Sequence, residues 1–207
     1  MIIKKHLKNV IEVQNLFKES DLLKILKKYK NCKNWKKIKQ IRKKHYSHVF
    51  KNNSPYLPSK NEKYLSSFYR SEKLENDKFI KNIINNYLVK LFNKQYKIKD
   101  FDIDMRCHKF TTGDFFRVHM DGYAGGYAIT LSLNKNWKWD WGGILNITHG
   151  KNQSELLSLL PKWNCINILN NYVHPSPHFL SCIQEHALDT RYTITCFIKE
   201  KIELINS

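Results

Sequence analysis

From Phe101 onward the chain runs in short segments that alternate apolar and polar residues, and this constrains its fold more than any other feature. "FDIDMRCHKF", "FFRVHMD", "YAITLSLN", "GILNIT", "NCINIL", "HFLSCI" and "RYTITCFIK" are rich in β-branched and aromatic residues and are separated by Gly, Pro, Asn or Asp. Successive side chains of a strand point to opposite faces, so a period of two marks a half-buried strand. Upstream the period is helical. Phe79, Ile80, Ile83, Ile84, Tyr87, Leu88, Leu91 and Phe92 fall on one face of a long helix, which must cover something apolar. Strands after helices predict an α+β chain: a β-sandwich or barrel with helices packed outside one sheet. Residues 10–30 read as two short amphipathic helices, the second capped by Asp21. The two prolines of "NNSPYLPSKNEKYLSS" (52–67) make it a loop or lid. The expected organisation is a basic, mainly helical extension over 1–100 and a strand-rich core over 101–207, integrated as one domain.

At 207 residues the chain is long enough to bury a substantial core. No run approaches the ~18 consecutive apolar residues of a membrane span, and "MIIKKHLKNV" is too charged for a secretory leader, so a soluble, cytoplasmic protein with no membrane partner is expected. Cys32, Cys107, Cys165, Cys182 and Cys196 are odd in number and scattered, which predicts reduced core thiols. There is no glycine-rich phosphate loop.

The charge is unevenly placed. Residues 1–100 hold 26 basic and 8 acidic residues, whereas 101–207 hold 10 of each, so the whole +18 lies in the first half. Residues 22–61 carry 13 Lys or Arg and no Asp or Glu, with Tyr29, Trp35, Tyr46 and Phe50 interleaved. That is the composition of a surface facing a polyanion such as nucleic acid. The alternative is a solvated lysine-rich face, since 21 Asn and only five Arg also suggest a coding bias.

Within the strand region, "VHMD" places His119 and Asp121 at i and i+2, on one face. An imidazole and a carboxylate make a two-ligand corner. A second imidazole would complete the facial triad that holds non-haem Fe(II) with coordination positions left open. His149, His174, His178 and His186 are the downstream candidates. His178 is best placed, because it opens a strand directly after the turn "HPSP", whereas His174 lies in that turn and His186 in the polar "QEHALDT". On the last strand Arg191 offers a planar fork for a carboxylate, and Thr193 lies on the same face; a surface pair with Asp189 is the alternative.

"GDFFRVHMD", "AITLSLNKNWKWDWGGILNI", "LPKWNCINIL", "HPSPHFLSCI" and "TRYTITCFI", in this order, resemble 2-oxoglutarate/Fe(II) dioxygenases of the prolyl 4-hydroxylase group, especially the oxygen-sensing type. The resemblance covers about Phe101 to Lys199 and includes Leu133-Asn134 followed by Trp137, then Gly142-Gly143 before Leu145. It implies a double-stranded β-helix of the jelly-roll or cupin kind. It implies that His119, Asp121 and His178 bind Fe(II) and serve catalysis, that Arg191 and Thr193 hold the 2-oxoglutarate tail, and that Leu145 walls the co-substrate. O2 is the remaining co-substrate, with ascorbate as an auxiliary reductant. Two departures stand out: Ser132 occupies a co-substrate position where the family often has Tyr, with another family Tyr replaced around Lys109 and Phe110, and the separation from His178 to Arg191 is a few residues longer than in the oxygen-sensing type, implying an enlarged loop at "QEHALD". The implied reaction is hydroxylation of an unactivated C–H, foremost a prolyl residue of a protein or peptide. The alternatives are a small-molecule hydroxylase, or a nucleic-acid-associated oxygenase that uses the basic half. Among the tryptophans, Trp137 is expected in the core, while Trp139 and Trp141 flank the glycine turn.

Overall fold

The computed structural model describes residues 1–40, 66–121, 126–173 and 176–201. Twelve strands and three α-helices are defined there. In chain order they are β1 (Ile2–Leu7), β2 (Val10–Gln14), α1 (Glu19–Asn31), β3 (Lys36–Gln40), β4 (Ser66–Arg70), α2 (Glu72–Glu75), α3 (Lys78–Tyr96), β5 (Phe101–Phe110), β6 (Phe115–His119), β7 (Tyr127–Ser132), β8 (Leu145–His149), β9 (Glu155–Leu159), β10 (Cys165–Asn170), β11 (His178–Leu180) and β12 (Arg191–Glu200). All seven expected strands form. Hydrogen bonding runs β1-β2-β10-β7-β12-β5-β4-β6-β11-β8-β9, with β3 added to β4. A larger sheet therefore ends at β5, a smaller one starts at β6, and β4 bonds to both. The result is the double-stranded β-helix.

The helices lie on the outer face of the larger sheet. Leu22, Ile25 and Tyr29 of α1, and Ile80, Ile84, Leu88, Leu91 and Phe92 of α3, share one buried cluster with Ile129, Leu131, Ile194, Cys196 and Ile198 from the strands. Each such side chain contributes about 1.5–3 kcal/mol through the apolar surface it removes from water. Helix α3 begins where Asp77 Oδ1 accepts the Ile80 N–H at 3.1 Å, and ends where Lys97 turns left-handed at φ 63°. Lys28 Nζ meets Asp77 Oδ2 at 2.7 Å and ties α1 to this cap. The Tyr29 hydroxyl passes through the cluster to donate to the Thr193 carbonyl at 3.2 Å.

Between the sheets, two smaller clusters fill the ends. Phe68, Phe110, Trp137, Trp141, Ile144, Leu180 and Ile183 form one, and Val10, Ala128, Leu145, Ile147, Leu159 and Leu169 the other. A cavity of about 280 Å3 lies between them, lined by members of both.

The long helix expected over residues 79–92 forms, but residues 10–30 depart from the two expected helices. Residues 10–14 form a strand that pairs with β10 and widens the larger sheet, leaving one helix from Glu19. The reason is Glu12: it faces the interior with 1% exposure and is neutralised there by Lys162 Nζ at 3.0 Å, so a carboxylate holds an apolar slot in the pattern. Lys18, not Asp21, caps α1 and makes no side-chain cap bond; Asp21 lies in the first turn and accepts from the Tyr87 hydroxyl at 3.0 Å. Of the expected loop, only Ser66 and Ser67 are within the described residues, and they belong to β4. Among the described residues no helix is long and apolar enough to cross a membrane.

Candidate metal centre and co-substrate pocket

Strands β6 and β11 pair antiparallel with His119 directly opposite His178. Directly opposed residues project to the same side, so pairing alone brings the two imidazoles together. Their ring centroids lie 4.3 Å apart. Asp121 follows His119 by two residues, and its carboxylate reaches both rings, at 3.7 Å from His119 Nε2 and 3.2 Å from His178 Nε2. Among the described residues this is the one group of three or more His, Cys, Asp or Glu side chains whose donor atoms all lie within 4.8 Å of one another.

Both imidazoles are set in the same way. His119 Nδ1 lies 2.7 Å from the Arg117 carbonyl, and His178 Nδ1 lies 2.8 Å from the Ser176 carbonyl, each two residues upstream. A carbonyl only accepts, so Nδ1 carries a proton and Nε2 is the atom turned inward, a metal ligand once it gives up any proton shared with Asp121. Burial pushes the Asp121 carboxyl up, but His178 and then His119 outweigh it and hold the group down at about 2. Burial likewise pulls His178 down, and Asp121 more than reverses that. Two imidazoles and one ionised carboxylate are the donor set a divalent, moderately hard metal takes.

The other candidate histidines lie elsewhere. His149 Nδ1 pairs with Glu155 at 3.2 Å, and His186, 60% exposed, pairs with Asp140 at 3.5 Å. His174 lies outside the described residues.

Arg191 opens β12 and faces the same cavity. It is 3% exposed. Its Nη1 donates to Thr193 Oγ1 at 2.5 Å, the guanidinium sits 5.4 Å from the Phe110 ring, and Nε has no partner. Burial alone pushes it down to about 9. The alternative pair with Asp189 does not form, because Asp189 Oδ2 instead accepts from Asn134 Nδ2 at 3.3 Å. A buried cation with an idle donor is costly unless an anion completes it.

The local sequence explains why Arg191 is held there. Asn134 donates to the Thr190 carbonyl at 2.7 Å and accepts the Tyr192 N–H at 2.9 Å, clamping both neighbours of Arg191. Trp137 packs edge-on against Trp141 and donates to the Gly142 carbonyl at 2.8 Å. Gly143, at φ +61°, has no room for a side chain, since a Cβ would lie 2.9 Å from Arg191 Cδ and 2.4 Å from Ile183 Cδ1. The Asn, Trp and Gly-Gly elements of the motif therefore serve one arginine, while Leu133 packs in the main core. Leu145 lines the cavity; Ser132 is buried opposite Thr193, and its Oγ accepts the Asn134 N–H at 3.4 Å. Trp137 and Trp141 are core residues, whereas Trp139 is 57% exposed.

Three titratable cavity residues escape a sequence reading: Arg70, Arg106 and His108. His108 is 8% exposed, and burial first, then Arg70, Arg191 and Arg106, push it down to about 3, so it is neutral. The signal available was parity, because 106, 108 and 110 share a face of β5.

The model of the 2OG-Fe(II) oxygenase superfamily matches residues 105–199. No curated protein sequence matches the chain. Among solved structures, a Pseudomonas putida prolyl-4-hydroxylase is 12% identical with TM-score 0.61, over 93% of this chain and 93% of that one. A Trichoplax adhaerens prolyl hydroxylase, solved with a peptide fragment of the hypoxia-inducible factor oxygen degradation domain, is 14% identical with TM-score 0.60, over 93% of this chain and 84% of that one. The viral collagen prolyl hydroxylase of Paramecium bursaria Chlorella virus-1 is 8% identical with TM-score 0.57, over 94% and 97%. The family's cofactor and co-substrates are Fe(II), 2-oxoglutarate and O2, and the His-Asp-His cluster and the idle buried guanidinium in one cavity suit the first two. The segment 105–199 is thus a 2-oxoglutarate/Fe(II) dioxygenase segment of the 2OG-Fe(II) oxygenase superfamily, set in a chain with the fold of the prolyl 4-hydroxylases.

Proposed function

We propose that the enzyme hydroxylates a prolyl residue of a protein or peptide, with His119, Asp121 and His178 holding Fe(II). Arg191 and Thr193 hold the far carboxylate of 2-oxoglutarate, Leu145 covers its carbon chain, and Ser132 supports Thr193 from the neighbouring strand. The observation that carries this reading is the buried Arg191 guanidinium, whose Nε has no partner, in the same cavity as the His-Asp-His cluster. When bound, the iron, with 2-oxoglutarate and O2, supplies the oxidising chemistry: one oxygen atom enters the substrate C–H and the other enters succinate as CO2 leaves.

The protein's part is placement. The two carbonyl-bound Nδ1 atoms fix both imidazoles in the metal-ready tautomer. Asp121 stays ionised, so a ligand charge is present before metal arrives. Arg191 and Thr193 lie side by side on one face of β12 and offer donors from a rigid strand, while Phe110 and Leu145 keep water from the pocket walls.

The prolyl assignment is supported by the fold likeness to prolyl hydroxylases, one of them solved with a peptide. We read residues 1–100 as part of the catalytic unit, since β2 and β4 pair with its sheets and Tyr29 reaches β12. Five free cysteines support a reducing, cytoplasmic setting. The test is succinate formation together with a one-oxygen mass gain, measured on proline-containing peptides, free amino acids and methylated oligonucleotides. Turnover confined to the peptides is expected. Oxygen transfer to a free amino acid or an oligonucleotide instead would overturn the prolyl reading and leave the dioxygenase assignment intact.

A further inference from the structure

The chain has 36 basic residues besides histidine, and only five are arginine. Three of those five, Arg70, Arg106 and Arg191, line the one cavity of about 280 Å3 that holds the metal cluster. Arg191 is assigned above to 2-oxoglutarate, which leaves two without a role. Arg70 comes from β4, opposite His108 in the ladder, and Arg106 from β5, on the same face as His108.

Both are braced from behind. Arg70 donates from Nε and Nη2 to the two oxygens of Glu75, each at 2.6 Å, and Glu75 is itself buried and accepts the Cys107 N–H at 3.0 Å. Arg106 donates from Nε to Asp104 Oδ1 at 2.8 Å and from Nη2 to Oδ2 at 2.5 Å. This mode of binding uses two of the five guanidinium N–H groups and leaves Nη1 outside the bidentate pair. The forks are thus oriented while keeping donors for a further acceptor. His108 stands among the three arginines and is kept uncharged by burial and by their fields, so it adds no charge of its own and leaves anion recognition to the forks. A net positive lining continues outward, because Arg70 is shared with an adjoining surface groove lined by Lys36, Lys37, Lys39 and Lys73 against one acid, Glu72.

We propose that Arg70 and Arg106 form a second anion-reading site in this cavity, and that the substrate is a peptide bearing an aspartate or glutamate side chain beside the residue that is hydroxylated. The proposal rests on the prolyl-peptide reading above. Nucleic acid fits less well, because single strands are held by exposed aromatic rings. Among the described residues of the basic region Tyr29 is fully buried, and Trp35 packs on Tyr29 and Tyr192 at centroid distances of 5.6 and 6.3 Å; Tyr46 and Phe50 lie outside the described residues.

The test uses the full chain with anaerobic Fe(II) and 2-oxoglutarate. Fluorescence anisotropy follows a labelled proline peptide with flanking Asp and Glu, and its Asn/Gln counterpart. The acidic peptide should bind about tenfold or more tightly, the scale of one charge-assisted hydrogen-bonded contact. R106Q should remove most of that preference while barely changing the amide peptide, and R106K should retain part of it. Arg106, whose partner Asp104 is exposed, is preferred to Arg70 as the variant because Arg70 holds a buried carboxylate. In aerobic assays the KM for the acidic peptide should follow the same order. Equal affinity for the two peptides, no binding of either, or an equal loss for both in R106Q overturns the proposal. Preferential binding of the acidic peptide with no oxygen transfer to it leaves the anion site standing and removes the prolyl reading. Equal hydroxylation of acidic and amide peptides does the reverse. Displacement by a single-stranded oligonucleotide more effectively than by unlabelled acidic peptide, at physiological salt, overturns the peptide class.

Discussion

Strand β12 carries two chemistries on one piece of backbone. On the face toward the helices, Ile194, Cys196 and Ile198 are buried in the main core. On the face toward the cavity, Arg191, Thr193 and Thr195 line the pocket. Exposure hardly distinguishes them, at 0% for Ile194 and 3% for Arg191. What differs is satisfaction: the helix face is buried in a continuous apolar cluster, while the cavity face keeps an idle guanidinium nitrogen and looks onto a metal-ready cluster. One side of the sheet is assembled to be stable and the other to be completed by ligands. Substitutions on the two faces should therefore change different measurements.

The largest expected effect is from His178→Ala, which should abolish the visible charge-transfer band of anaerobic Fe(II) with 2-oxoglutarate and all turnover, since two donors hold the metal poorly. A retained band would break the comparison by removing β11 from the metal site. Next, Ile194→Ala should lower unfolding stability by about 2–5 kcal/mol. The 2-oxoglutarate affinity of the molecules that remain folded should not move, and a large loss there would show the faces are not independent. Arg191→Lys should raise the 2-oxoglutarate requirement about 10–100-fold, because a point charge cannot replace the fork. Metal-free thermal stability should change little in this variant; a fall as large as that for Ile194→Ala would make Arg191 a structural residue.

The smallest effect concerns His108. Burial keeps its folded value near 3, against an ordinary 6.5, so below pH 6.5 the unfolded chain binds a proton that the folded one refuses. Its contribution is whole above that pH and is lost as pH falls toward 3, by at most ~1.4 kcal/mol per pH unit. Urea midpoints of the metal-free protein at pH 7 and pH 5 should converge in His108→Leu relative to the native chain. An unchanged difference would place the pH sensitivity elsewhere.

Much of this architecture is legible in the order of amino acids alone. Period-two segments announce the strands after Phe101, and His119 with Asp121 declares a shared face. Pairing partners are not legible there, and they account for what the pattern misses. Strand β3, "KKIKQ", reads as a run of charge, and only its register with β4 makes it a strand. Glu155–Leu159 forms the edge strand β9, with only Leu159 buried, so its pattern is weak. Arg70 is displayed because β4 bonds to β5 opposite His108, a contact spanning 38 residues of sequence. His178 can be ranked first from its turn, but only the ladder sets it opposite His119.

The hydroxyl of Tyr29 resting on the Thr193 carbonyl has a practical corollary. Excising the segment recognisable as an oxygenase, 105–199, should expose apolar surface that the preceding residues cover. Cutting before residue 101 would strip the helices from Ile129, Leu131 and Ile194, leave the β10 edge open where β2 had sat, and unstitch the seam at which β4 joins the two sheets. The expectation for any domain graft or library built on this scaffold is that it keeps the lysine-rich half in place, and a soluble, folded 101–207 fragment would refute it.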